Sequence, residues 1–279
     1  MDDLFHQLKT LSTTEVRAQI RACAYGAHTA GLGKKHLQAN LAILPEAYAL
    51  DFMRFCQRNP KPCPLVGVSD TGNPHMQTLG HDIDIRTDVP AYYVYRHGVL
   101  SESVEDITDF WQDDFVAFAL GCSFTFEHAL ERAGIPIWHI QNNTTVPMFT
   151  SDIQTVPAGP FHGAMVVSMR AIPNAQLDEV IAISKQFPMA HGAPVHVGDP
   201  AAIGIADVKK PNWGDPAPVL AGTTPVFWAC GVTPQVAITQ AKPPICITHK
   251  PGHMLITDIS DDADTTILNP KTIPTGETQ

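Results

Sequence analysis

The stretch ITDFWQDDFVAFALGCSFTFEHALERA, residues 107–133, decides how this 279-residue chain divides. Its apolar positions predict two helical segments, 107–120 and 125–133, broken at Gly121. Short β-rich runs bounded by Gly or Pro stand on both sides of it, at 64–68 and 91–95 before and at 225–229, 245–248 and 254–257 after. Such runs suit buried strands of an α/β sheet. Between them, 135–140, 146–149 and 164–169 read as strands and 177–187 as a helix. That order predicts an α/β fold: a three-layer main domain, 1–110 and 190–261, with an inserted smaller α+β two-layer sandwich at 111–189. Residues 262–279 are polar with little periodicity and are expected to form a flexible tail.

Toward the N-terminus, Ser12 with Glu15 three residues later is a capping box, with Val16, Ile20 and Cys23 on one face of a helix ending near Tyr25 and Gly26. Residues 37–60 read as strand or loop and then a helix on Ala47, Leu50, Met53 and Phe55, stopped by Pro60. No internal repeat or low-complexity segment is read. Gly31 and Gly33 lack the third glycine of a dinucleotide fingerprint and no Walker sequence occurs, so no cofactor is expected.

Composition narrows the function classes. With 44% hydrophobic and 16% charged residues the chain is globular rather than disordered. A formal charge of −10, with adjacent basic pairs only at Lys34–Lys35 and Lys209–Lys210, argues against a nucleic-acid surface. The start is acidic and lacks an apolar leader, and no apolar run reaches membrane length, so no membrane partner and a cytoplasmic location are expected. The six cysteines form no CxxC pair, which fits reduced thiols, most of them small buried hydrophobes.

Four clusters carry residues suited to chemistry. In DIRTD, Asp84, Arg86 and Asp88 would share one face of an extended segment, holding Arg86 to fork onto a substrate carboxylate or forming a surface ion-pair ladder. In GCSFTFE, Cys122 and Ser123 fall at a helix start, as nucleophile or oxyanion donor, or as core residue and N-cap. HGAPVHVGDP places His191, His196 and Asp199 in a shaped loop, the strongest candidates for acid/base work. The His-x4-His spacing matches no standard metal site, and no metal is expected. ACGVTPQ places Cys230, Thr233 and Gln235 after an apolar run, where a buried strand delivers ligand-binding loops. His249, His253 and Asp258 follow in THKPGHMLITD, and Arg170, ending MVVSM, is a second carboxylate clamp or a solvated strand end.

In order, QANLAILP, DFMRFCQRNPKPCPL, DIRTDVPAYYVYRHG, FVAFALGCSFTFEHAL, VPMFTS, FHGAMVVSMR, HGAPVHVGDPAAIGI, PVFWACGVTPQ and THKPGHMLITD resemble the D-glutamate cyclase family, whose bacterial members are often labelled hydro-lyases. The likeness runs from about Val16 to Asp258, with departures at Lys34, Lys35, His36 and Ala171. It implies a two-domain α/β architecture and a lyase dehydrating D-glutamate to 5-oxo-D-proline, or acting on a related small acidic metabolite. On that reading Arg86 or Arg170 clamps the α-carboxylate, and His191 or His196 with Asp199 moves protons. Cys122, Ser123 and Thr233 supply oxyanion donors, and Gln235 and His249 line the substrate site. Two rivals remain, a cysteine-dependent amidase or hydrolase using Cys122 or Cys230 with His191 and a non-catalytic binding protein for an acidic metabolite. A homo-oligomer is compatible with all three.

Overall fold

The computed structural model describes residues 2–261, so the expected tail lies outside the described residues. Helix α1 (Asp2–Leu8) precedes α2 (Thr13–Arg21), whose Ser12 and Glu15 form the capping box reciprocally. The helix stops at Arg21, earlier than its apolar face suggests, because Cys23 takes a left-handed turn at φ 53°. The ten-residue strand β1 (His36–Pro45) leads into α3 (Glu46–Arg58). Strands β2 (Leu65–Val68), β3 (Tyr92–Arg96) and β4 (Val99–Val104) follow.

Next comes β5 (Phe115–Gly121), a strand where the apolar spacing predicts a helix up to Leu120. All seven of its residues are buried, Ala117 and Ala119 toward one core and Phe118 and Leu120 toward the other. A strand covered on both faces is continuously apolar, and that removes the alternation that distinguishes it from a helix. Helix α4 (Phe124–Arg132) is as expected, whereas 135–140 holds only the single turn α5 (Trp138–Gln141) instead of a strand. Ile135 and Ile137 are apolar there because they pack under α4, not because they pair.

The chain continues through β6 (Met148–Gln154), β7 (Ala164–Pro173), α6 (Leu177–Lys185), β8 (His196–Val197), β9 (Thr223–Ala229), α7 (Thr233–Ala241), β10 (Cys246–His249) and β11 (Leu255–Ser260). The result is a mixed α/β structure of two sheets. The larger has the order β2-β5-β1-β10-β3-β4, with β11 beside β10 on β1; the smaller runs β6-β7-β9-β8. Every pairing between these strands is antiparallel. The sheets therefore divide the chain between 121 and 148 and again between 229 and 246, later on both sides than the expected divisions at 111 and 189.

One face of the large sheet packs against an irregular segment carrying Met76, Leu79, Ile83, Ile85 and Val89. The other is covered by Phe52, Phe55 and Cys56 of α3 and by Ala237 and Ile238 of α7. Each fully buried aromatic contributes on the order of 1.5–3 kcal/mol. In the small sheet, Ile172, Val226 and Trp228 face Phe126 and Leu130 of α4 and Val180 of α6, while Phe149, Val167, Met169 and Phe227 face Ile203 and Ile205. Where the sheets meet, a fifth buried cluster joins Cys122, Phe124, Val146, Val166, Cys230, Val232 and Met254.

Candidate functional site

Two strand-to-helix turns meet at this junction, after β5 and after β9. At the first, Gly121 is required by space: a Cβ there would lie 1.6 Å from the Met189 carbonyl oxygen. That close approach brings the turn preceding His191 against the end of β5. Ser123 begins α4, and Glu127 stands one helical turn later on the same face.

Both reach Arg170 of β7, which is 3% exposed. Arg170 Nε donates to Glu127 Oε1 at 2.9 Å, and Nη2 donates both to that oxygen and to Ser123 Oγ at 2.9 Å. Nη1 donates to Ser168 Oγ at 2.9 Å. The guanidinium also lies over Trp228 at 5.2 Å and Phe126 at 5.4 Å. Four of its five N–H groups are thus used within the protein, so Arg170 is neither a free substrate clamp nor a solvated strand end. Its carboxylate partner is internal.

His139 of α5 puts Nε2 3.0 Å from Glu127 Oε1, off the line of a hydrogen bond. Burial alone would push the Glu127 carboxyl up; the neighbouring His139 ring and the Arg170 guanidinium with its hydrogen bonds outweigh it and hold the group at about 2. Glu127 Oε2 and His139 Nε2 have no hydrogen-bond partner. Ser123 accepts from Arg170, leaving its own O–H as a donor.

His191 is buried in a left-handed conformation, φ 74°. Its Nδ1 lies 2.8 Å from the Lys61 carbonyl oxygen, which can only accept, so the network assigns the proton to Nδ1. Nε2 is then a bare lone pair, buried and unpartnered. Burial, with Arg170 nearby, lowers this imidazole to about 4, leaving it neutral at neutral pH.

At the second turn, Thr233 Oγ1 accepts from Val166 N–H at 3.0 Å. Gln235 Nε2 donates to the His249 carbonyl at 3.0 Å and lies 3.4 Å from His249 Nδ1. Leu41 N–H is 3.1 Å from that same nitrogen, and the Leu41 carbonyl is farther, at 3.3 Å. The nearer group is a donor, as is the Gln235 amide, so Nδ1 accepts and the proton rides on Nε2, which has no partner. Burial lowers His249 to about 4. Gly231 abuts Asn40, whose Nδ2 donates to the Leu120 and Gly121 carbonyls and so ties the two turns together.

Three sequence candidates fall elsewhere. The 84–88 segment is a turn, not extended. Arg86 forks onto Asp84, with Nε–Oδ1 2.9 Å and Nη2–Oδ2 2.6 Å, while Asp88 turns away to Arg21. The segment lies under the large sheet, where Ile85 and Val89 anchor it. His196 packs on Phe227, on the face of the small sheet opposite Trp228 and Arg170. Its Nε2 meets the Asp199 backbone carbonyl at 2.7 Å, and the Asp199 carboxylate caps Ala201 N–H instead of holding the imidazole. A two-residue β pairing fixes His196 on that face, which parts it from His191. Sequence reading missed Glu127 and His139 as site residues. The four-residue step from Ser123 signals Glu127; nothing local signals His139.

Burial raises both junction thiols, Cys230 to about 11. Among the described residues no group of three or more His, Cys, Asp or Glu side chains is placed to hold a metal ion, and no helix is long and apolar enough to cross a membrane.

Residues 116–258 match the D-glutamate cyclase family, a span that contains both turns, Arg170, His191 and His249. A relative from Dinoroseobacter shibae, described as "Putative hydro-lyase", is 68% identical over 99% of this chain and 92% of its own length. One from Ruegeria pomeroyi with the same description is 67% identical over 95% of this chain and 96% of its own. A Thermoanaerobacter relative is 52% identical over 91% and 96%. A nitrogen repressor-like protein from Methanococcus jannaschii superposes with a TM-score of 0.38 at 10% identity, over 84% of this chain and 91% of that one, too low to carry an argument. The chain belongs to the D-glutamate cyclase family and is an enzyme of the hydro-lyase type.

Proposed function

From membership of the D-glutamate cyclase family, we propose that the chain closes D-glutamate to 5-oxo-D-proline with loss of water, at the junction of the two sheets. The observation that supports this most is the pairing of a neutral, unpartnered imidazole lone pair on His191 with the fixed cation of Arg170. Ring closure needs the α-ammonium deprotonated, an oxyanion received and water expelled. His191 Nε2 takes the ammonium proton. Its resting value of about 4 makes it a weak base, but an incoming dicarboxylate adds negative charge beside it and raises it. Ser123 O–H receives the oxyanion, with its oxygen polarised by Arg170 Nη2. The attacking amine and carboxyl belong to one molecule, so proximity lowers the barrier by an amount on the order of 7–11 kcal/mol once the chain is folded correctly. The His249 Nε2–H, an unpartnered buried donor, hydrogen-bonds to the departing oxygen, which leaves as water carrying the proton that His191 took and the second proton that the ring nitrogen gives up on becoming an amide.

The substrate is a small acidic molecule free in the cytoplasm on this reading, and no cofactor takes part. A cysteine hydrolase is the weaker reading, because no hydrogen bond joins Cys122 or Cys230 to an imidazole among the described residues. Following D-glutamate, L-glutamate and 5-oxoproline by NMR, with and without chelator, tests the proposal. Formation of 5-oxo-D-proline is expected, reduced about 10²-fold or more in His191→Ala and Ser123→Ala. Turnover unchanged in both folded variants, or none with any of the three compounds, refutes it.

A further inference from the structure

The two turns of the junction repeat each other. Cys122-Ser-Phe-Thr125-Phe-Glu127 and Cys230-Gly-Val-Thr233-Pro-Gln235 share the spacing Cys, three on to Thr, two on to a five-atom acid or amide. Each cysteine directly follows the last residue of a strand, β5 or β9, and each motif opens a helix, α4 or α7. Their hydrogen bonds match. Cys122 N–H donates to the Gln38 carbonyl at 3.0 Å and Gln38 N–H to Thr125 Oγ1 at 3.1 Å. Cys230 N–H donates to the Val166 carbonyl at 3.0 Å and Val166 N–H to Thr233 Oγ1 at 3.0 Å. Thr125 N–H returns to the Cys122 carbonyl at 3.1 Å, and Thr233 N–H to that of Cys230 at 3.0 Å. Gln38 and Val166 occupy the two ten-residue strands, β1 and β7, that flank β5 and β9.

The packing is reciprocal as well. Helix α4 leaves the large sheet and buries Phe126 and Leu130 in the core of the small one; α7 leaves the small sheet and buries Ala237 and Ile238 in the core of the large one. Glu127 accordingly reaches Arg170 of β7, and Gln235 reaches His249 of β10. Exchange of this kind is what an approximate two-fold axis through the junction produces. Cys122 and Cys230 share one buried cluster, close enough that the charge of one is felt by the other.

A two-fold axis sets its paired side chains on opposite sides of whatever lies on it. We infer that Cys122 and Cys230 are an acid–base pair that exchanges the Cα hydrogen of a small acidic α-amino acid, and so inverts it, at this junction. One sulfur, as thiolate, removes the Cα proton and becomes S–H, leaving an enediolate on the carboxylate. The other, as thiol, delivers its proton to the opposite face and becomes the thiolate. Protons and electrons balance, so neither redox partner nor cofactor is consumed. Burial, and for Cys122 the nearby Cys230 and Glu127, work against the thiolate; the backbone N–H of Phe124, those of Gly231 and Val232, and Arg170 work for it. The buried, unpartnered Nε2 atoms of His191 and His249 are a separate sign that a polar ligand belongs here.

This inference rests on the junction being the site but not on ring closure, so one experiment separates them. The full chain is incubated in D2O with D-glutamate and L-glutamate separately, while proton NMR follows Hα and chiral chromatography follows the enantiomers. Loss of the Hα signal with appearance of the opposite enantiomer is expected. Interconversion should fall about 10²-fold or more in both Cys122→Ser and Cys230→Ser. If serine perturbs the buried cluster, Cys→Ala variants checked by circular dichroism replace them. Retained Hα in both enantiomers with the wild-type protein overturns the inference even where 5-oxoproline forms, and so does interconversion that survives both substitutions. Interconversion without 5-oxoproline upholds it and refutes ring closure instead.

Discussion

Replacing Glu127 by Gln keeps the shape of the side chain and removes the charge that Arg170 is built around. The guanidinium would then sit buried, with Glu127 no longer answering its Nε and Nη2 donors as an anion. Breaking a buried pair in this way costs about 3–5 kcal/mol. The carboxyl itself gives a similar figure, since holding it at about 2 against an ordinary 4.5 corresponds to roughly 3 kcal/mol. The folded value lies below the unfolded one, so this stabilisation is complete above about pH 4.5 and is lost as pH falls toward 2. Urea unfolding at pH 7 should therefore show a loss of about 3–5 kcal/mol with an unchanged slope, and the same loss from pH 5 to 8. The double variant Glu127→Gln with Arg170→Met, which removes both members of the pair, should recover most of it. A loss below about 1 kcal/mol, the worth of an exposed pair, would refute the view that this pair organises the junction.

Acid should destabilise the fold early. His191, His249 and His253 are each lowered by burial to about 4 from an ordinary 6.5, so their contribution is present above about pH 6.5 and lost as pH falls toward 4. Three such groups forfeit up to about 4 kcal/mol per pH unit, and a urea midpoint that stays flat from pH 6.5 to 4.5 contradicts their burial as neutral rings. Gly121→Ala should cost about 1–3 kcal/mol or more in thermal unfolding, because the new Cβ overlaps the Met189 carbonyl at 1.6 Å; a stability like wild type would mean that the 188–191 turn does not rest on β5. A disulfide-exchange reagent should titrate Cys23 alone at once in the native state, since the other five cysteines are buried, and fast reaction of a second thiol would place Cys122 or Cys230 in an open cleft.

Some of this protein was determined by local sequence alone. The Ser12–Glu15 capping box, the helix over 46–58 and the strands bounded by Gly and Pro at 65–68, 92–96 and 246–249 are set by short-range rules, and the structure has them. The cluster GCSFTFE also announced a special turn, with Ser123 and Glu127 one helical turn apart. What the tertiary structure decided is everything set by pairing across the chain. Residues 115–121 form a strand because β1 and β2 pair with both edges and both faces are covered, and periodicity cannot register cover supplied by the segment carrying Met76 to Val89 and by α3 and α7. Arg170 serves Glu127, 43 positions earlier, because α4 crosses to the small sheet. His196 and His191, five positions apart, are separated because β8 pairs with β9 on one side while the 188–191 turn is held against Gly121 on the other. The repeat of the two cysteine turns is short enough to escape a reading by segments, and becomes plain when its hydrogen bonds to β1 and β7 match one for one. Side-chain type is written in the sequence, but which charge meets which is settled by hydrogen-bond register between distant strands.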